Sequence, residues 1–458
     1  MTEPAAARTP ALSRPQLYAI VFIEGFCSLG AEVLALRQLV PHLGSSIIVT
    51  APTIGLFLLA LALGYHTGAK VERDYLAAVS RNFLWSAVVC GVGLAGVSVD
   101  GLFAGMPSPW LAYLVFMAAV LCPLAWLLGQ TVPILTNLMQ HARAGESSGY
   151  ALYYSTLGSF LGSVTLSLGV MQWLGVSAAV SVCAALLVLG FGLVSARSGR
   201  TALTAAALLA LIGVGHLWLR PGIDTAYASY SVVPVQLDGA VNPRAFKSNN
   251  SIASLIDEGT PPHYARYVSH IRRVLLEDFG FRDRPILVLG AGGFTLSHRE
   301  TENRYTYVDI DPAIRAIAEE HFLGEAARGE FIVDDARHFV ARTDRRFDAA
   351  VVDVYSSHTS IPGHLVTREF WQSTRRVLTA DGVLVANLIL DGQLATPYAR
   401  NLLATIESVY GRCAVEVLHR RQPLSNVVVV CHARSEVQPT SVYVDERNAA
   451  DLDLARSR

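Results

Sequence analysis

Apolar residues in the first 220 positions come in long unbroken runs. Those near 17–40, 47–67, 82–104, 110–137, 150–173, 176–196 and 202–219 each approach the roughly 20 residues a helix needs to cross a bilayer. Connections such as the one from Gln172 to Gly175 leave no room for folded domains between runs. Residues 17–220 therefore read as a multi-pass α-helical membrane bundle of about seven helices, behind an N-terminal tail (1–16). Beyond 220 the rhythm changes to short apolar stretches of strand length. Strands are expected at 231–237 and 251–257, then a helix near 264–278. A buried strand at 285–289 runs into a glycine turn, and a second at 305–311 ends in acids. A helix at 312–321, strands at 330–333 and 349–352, a helix at 367–378 and a strand at 382–388 follow. Strands alternating with helices predict a parallel, doubly wound α/β sheet.

Composition sharpens this division. The chain is 52% hydrophobic and 16% charged, with mean hydropathy +0.39, too apolar for a wholly soluble protein of 458 residues. Residues 1–220 carry 10 Lys/Arg and 7 Asp/Glu, against 26 and 30 in 221–458. A net charge of -1 without any Lys/Arg tract argues against a nucleic-acid partner. Cysteine spacing is uninformative: Cys27, Cys90, Cys122 and Cys183 lie in apolar runs, Cys413 and Cys431 stand 18 apart, and no zinc knuckle or CxxC pair occurs. The first apolar run carries internal charges and is followed by further runs, so no cleaved secretory signal is expected. Gly158, Gly162 and Gly169 suit close helix contact. Arg8, Arg14, Lys70, Arg73, Arg81, Arg143, Arg197 and Arg200 all fall on one side of a seven-span bundle. Basic residues mark the cytoplasmic side, so the N-terminus is expected inside and the second half outside. That side conflicts with the cytosolic metabolite implied below, so either one span is miscounted or the chemistry is extracytoplasmic. Within the first span, Glu24 and Glu32 are candidates for receiving a cation, or Glu32 for pairing with Arg37.

In doubly wound sheets ligands sit over the carboxyl ends of the strands. Gly290 and Gly292 let backbone approach a ligand there, and Asp309, 19 residues after Gly290, is placed to accept both hydroxyls of a ribose. Asp335 after the third strand suits an adenine amino group, and Asp353 closes the fourth. The third glycine of a dinucleotide-binding G-x-G-x-x-G is replaced by Thr295, which favours an S-adenosyl ligand over NAD. The alternative for these aspartates is helix capping in solvent.

At these residues the chain resembles the spermidine synthase (polyamine aminopropyltransferase) family. The stretches are VLGAGG (288–293), YVDIDP (307–312), VDDARHFV (333–340), FDAAVVDVYSS (347–357) and IPGHLVTREFW (361–371). EGFCSLGAEVLALRQLVPHLGSS (24–46), LALGYHTGAKVERD (61–74) and GYALYYSTLGSFLGS (149–163) are similar to the family's membrane-fused branch. The resemblance implies a β-rich region (221–283), a Rossmann-like catalytic domain of S-adenosylmethionine methyltransferase type (284–435) and a C-terminal tail (436–458). It further implies aminopropyl transfer from decarboxylated S-adenosylmethionine to a diamine such as putrescine, releasing methylthioadenosine. On that reading Asp309 binds the ribose, Asp335 the adenine, Asp353 is the catalytic acid beside the attacking amine, and Tyr264 and Tyr355 contact substrate. A homodimer and a lipid bilayer are the implied partners, and no metal is implied.

The sequence departs from the family pattern in places. Gly293 stands where soluble members carry an Asp that holds the aminopropyl amine. Asp353 is followed by Val354, Tyr355 and Ser356 rather than a D-x-x-D pair, and Ala265 and Arg266 replace His/Gln and Glu. Asp257 and Glu258 are candidate substitutes for the missing acids. Two other readings stay open: an S-adenosylmethionine-dependent methyltransferase, and a polyamine transporter or sensor regulated by a nucleoside-binding domain. His338, His358 and His364 lack paired metal-ligand spacing, and His364 is a candidate for ordering the loop over the site. No G-x-S-x-G elbow occurs at a strand-to-helix turn, which disfavours a Ser/His/Asp hydrolase.

Overall fold

The computed structural model describes residues 12–44, 47–138, 144–195, 203–209, 211, 222–249, 251–355, 361–434, 443–445, 448 and 450–457. They form two compact units, Met1–Leu39 with Ala51–Pro221, and Val40–Thr50 with Gly222–Arg458.

Among the described residues, five helices are long and apolar enough to cross a membrane: Arg14–Leu43, Ile47–Ala69, Tyr75–Gly93, Pro109–Leu138 and Gly145–Val194. The last contains two of the expected spans. It breaks at Gly175, whose φ of 83° and ψ of 172° are not helical. A Cβ at Gly158 or Gly162 would lie 2.2 Å from the carbonyl oxygen of Phe22 or Phe26. The Cys27 thiol meets the Cys183 carbonyl at 3.5 Å. Both halves thus reach the same level of Arg14–Leu43, although ~20 residues of straight helix span ~30 Å, so the chain turns back at Gly175. A Cβ at Gly169 would touch only Thr165 of its own helix, so the expected glycine face is Gly158 and Gly162 alone. Glu24 is buried and accepts a hydrogen bond from the Ser155 hydroxyl at 2.9 Å. The expected span at 202–219 lies mostly outside the described residues.

The second unit opens with an antiparallel sheet of β1 (Ile223–Asp224), β2 (Ser229–Pro234), β3 (Arg244–Ser248) and β4 (Ser251–Ile256). A helix at Arg266–Arg273, widened over Val274–Asp278, leads into the larger sheet. Its strands are β5 (Pro285–Leu289), β6 (Arg304–Asp309), β7 (Glu330–Val333), β8 (Phe347–Val352), β9 (Leu378–Leu390), β10 (Ala414–Val417) and β11 (Ser425–His432), in the order β10-β11-β9-β8-β5-β6-β7. β5 to β9 are parallel, as expected. The far edge is not: β11 pairs antiparallel with β9 and with β10, so the sheet is mixed.

Strands covered on both faces are apolar throughout, and β5 follows that rule from Ile286 to Leu289. Ile286 and Val288 pack with Tyr267, Phe294, Tyr307 and Phe322 on one face, and Leu287 and Leu289 with Phe370, Trp371 and Leu402 on the other. Cys413 and Cys431 form a disulfide with their Cα atoms 4.5 Å apart, a pairing their spacing had not disclosed. Because β6 lies on one side of β5 and β8 on the other, the chain leaves the central strand in two directions. A crevice opens at such a switch point.

Candidate active site

Across the sheet, the strand ends present Asn387 of β9, Asp353 after β8, Gly290 after β5, Asp309 of β6, and Asp334 and Asp335 after β7. Gly290 has φ +89°, and a Cβ there would lie 2.1 Å from the Asp353 carbonyl oxygen. Its glycine is required by the neighbouring strand end as well as by the turn. Gly292, with φ +50°, is required by its backbone conformation. Asp309 locks this turn: one oxygen accepts from the Ala291 N–H at 2.9 Å and the other from the Asp311 N–H at 3.0 Å. Burial pushes its pKa up against those two bonds. Each carboxylate oxygen has a further lone pair. Ile310 beside it is 43% exposed, an apolar surface the sequence reading missed.

Asp335 caps the helix Ala336–Arg342, accepting from the His338 N–H at 3.0 Å, so the capping alternative describes one of its oxygens. The other faces His364 Nε2 at 3.2 Å. Arg337 donates to the His364 carbonyl at 2.9 Å, which ties the segment around His364 to the same helix. His338 Nδ1 meets Asp334 at 2.7 Å, and His358 lies outside the described residues.

Asp353 is half-buried. Burial pushes its pKa up to about 6, against the hydrogen bond that Asn387 donates. Asn387 donates to Oδ1 at 2.8 Å. The Tyr267 hydroxyl beside the carboxyl is committed to the Ala253 carbonyl at 2.6 Å. Tyr355 follows two residues on, but its hydroxyl donates to the Asn387 carbonyl at 2.9 Å and accepts from the Ile389 N–H at 2.8 Å. Only its ring remains to meet a ligand. Tyr264 is turned to His298, bonding its Nδ1 and its carbonyl at 3.0 Å each, with Arg272 over the ring at 4.7 Å. The tyrosine brought beside Asp353 is therefore Tyr267, one turn further on.

The departures from the family pattern have structural causes. A Cβ at Gly293 would lie 2.4 Å from Phe322 Cε1 and 2.8 Å from Ser254 Cβ, so the space a side chain would need is filled. Neither candidate substitute acid is free. Asp257 accepts from the backbone N–H of Val241 at 3.1 Å and of His263 at 2.7 Å, and from His263 Nδ1 at 2.8 Å. Burial raises its pKa, but these bonds outweigh it and hold the value at about 2. Glu258 pairs with Arg244 at 2.9 Å. Ser356 lies outside the described residues.

No family model matches the chain. A polyamine aminopropyltransferase of Mycobacterium tuberculosis is 25% identical over 449 aligned positions, which cover 86% of this chain and 81% of that protein. The chain is similar to polyamine aminopropyltransferases over most of its length. The member from Vibrio vulnificus is 32% identical over 149 positions, covering 30% of this chain and 48% of that one, so the chain spans about half of that relative's length. Among solved structures, a probable spermidine synthase from Corynebacterium glutamicum aligns at TM-score 0.40 and 20% identity, covering 46% of this chain and 79% of that chain.

Proposed function

We propose that the second unit transfers an aminopropyl group from decarboxylated S-adenosylmethionine to an amine such as putrescine, and that the helical unit anchors it in a lipid bilayer. The observation that carries this reading is Asp353, a half-buried carboxyl with its pKa pushed up to about 6, whose Oδ1 accepts from Asn387, at a strand end two places from Asp309. A protonated amine cannot attack carbon. Asp353 takes the amine proton, the nitrogen lone pair forms the new C–N bond at the carbon next to the sulfonium, and the C–S electron pair stays on sulfur. The donor carries its own leaving group, so the protein's part is positioning and proton removal. Asp309 accepts the ribose hydroxyls, Gly290 and Gly292 give the adenosyl group close backbone approach, and Asp335 and Ile310 meet the adenine edge and face. The ring of Tyr355 and Tyr267, the tyrosine beside Asp353, are the aromatic contacts for the amine chain.

The methyltransferase reading draws support from the filled space at Gly293, which leaves no acid there to hold the donor's terminal amine. Calorimetric binding of decarboxylated and intact S-adenosylmethionine to the detergent-purified chain, with Asp335→Ala as control, separates the two. Preference for the decarboxylated ligand, lost in the variant, is expected. Preference for the intact ligand makes the chain a methyltransferase, and binding of neither refutes both.

A further inference from the structure

Asn387 lies on β9 in VANLIL, a stretch with no motif character, yet its side chain is buried at 3% exposure and fully committed. Its amide N–H donates to Asp353 Oδ1 at 2.8 Å, and its own oxygen accepts from Asn426 Nδ2 at 3.0 Å. Asn426 sits on the adjacent strand β11, opposite Ile389. The Tyr355 hydroxyl, bonded to the Asn387 carbonyl and the Ile389 N–H, fixes the backbone of the same residue. An amide is a donor at one end and an acceptor at the other. The Asn426 donor therefore sets which way round Asn387 stands, and Asn387 in turn presents a donor to Asp353.

From this relay we infer that Asn387 is a positioning residue: it fixes Oδ1 of Asp353 as an acceptor, favours the ionised carboxylate, and leaves Oδ2 to take the proton of the attacking amine. The inference rests on the proposed transfer for its catalytic meaning, but the relay itself is a property of the folded chain. A hydrogen bond donated to a carboxylate favours the charged form, opposing burial. Among the described residues, the titratable groups facing Asp353 are Tyr267, from the helix Arg266–Arg273, and Tyr355, from the segment after β8. Burial pushes both phenols well above their ordinary range, so neither changes charge where Asp353 does.

The test uses Asn387→Asp, which swaps the donor for an acceptor of the same shape, and Asn426→Asp, which alters no atom touching Asp353. An acceptor at 426 turns the Asn387 amide round, so its carbonyl faces Asp353. In both variants the acid limb of kcat/KM is expected to move up by a pH unit or more, a loss of about tenfold at pH 6 relative to each variant's own plateau. A pH titration of the Asp353 carboxylate by infrared difference, with Asp353→Asn as the blank, reads the same shift without turnover. An unmoved carboxylate titration in both variants overturns the inference, even if the rate falls equally at every pH. Absence of methylthioadenosine release by the wild-type chain refutes the transfer reading instead, and the infrared titration still decides the relay.

Discussion

Adding a single methyl group at position 293 probes the filled space beside the glycine turn. In Gly293→Ala the new Cβ would stand 2.4 Å from Phe322 Cε1 and 2.8 Å from its Cδ1, where relaxed carbon contacts need about 3.5–4.0 Å. The ring has to move by about 1 Å. It is 1% exposed and packs against Phe246 with ring centroids 5.3 Å apart, so it has little room to do so. Overpacking of this kind costs about 1–3 kcal/mol, or roughly 2–10 °C in Tm for a unit of this size. Differential scanning calorimetry of the detergent-purified full chain measures it. Phe322→Leu should relieve the clash, leaving the double variant about 1 kcal/mol more stable than the two single effects predict. An unchanged melting transition in Gly293→Ala would mean that Phe322 swings aside freely and that the missing acid left usable room, refuting the reasoning. If it does not, Gly293→Asp should gain affinity for the decarboxylated donor only when combined with a smaller residue at 322.

Asp353→Asn is expected to cut aminopropyl transfer at least 100-fold while stabilising the fold at pH 8, because a carboxyl whose folded pKa lies above its unfolded one loses stability as pH rises from about 4 to about 6. Equal melting temperatures for variant and wild type at pH 5 and pH 8 would refute that coupling. Asp257 has the opposite sign: its folded pKa of about 2 lies below the unfolded value, so its contribution is present above about pH 4 and fades towards pH 2. Asp257→Asn should therefore destabilise at pH 7 and hardly at all at pH 2, as read by thermal unfolding across that range. Cystines persist in oxidising compartments, and seven spans with a cytoplasmic N-terminus would put the second unit outside. In intact cells Cys413 and Cys431 should escape alkylation until reduced, and recovery of both as free thiols would refute that side.

The parallel half of the sheet was legible because its strands are buried on both faces and end in acids or glycine, a local signal for each. Bounds fell within a few residues: the strand expected at 349–352 is Phe347–Val352 and that at 382–388 is Leu378–Leu390. The antiparallel edge was not legible, since β10 and β11 alternate with no helix and carry no motif. What the sequence could not show depends on contacts between distant residues. Gly293 is emptied by Phe322, Asp353 is held by Asn387, and Asp257 is spent on Val241 and His263. The choice between Tyr264 and Tyr267 is a matter of which helical turn faces β8, and no spacing rule separates two tyrosines one turn apart.

The Tyr355 hydroxyl has a further consequence for how the sheet ends. β8 stops pairing at Val352 opposite Ala386, while β9 continues to Leu390, and the phenol occupies the backbone groups of Asn387 and Ile389 that a longer β8 would have bonded. A side chain thus finishes the sheet in place of main chain. The backbone of Asn387 and Ile389 is thereby satisfied without any further length of β8 beyond Val352. The carboxyl at 353 thus sits at a sheet end that a phenol, and not a longer strand, holds closed.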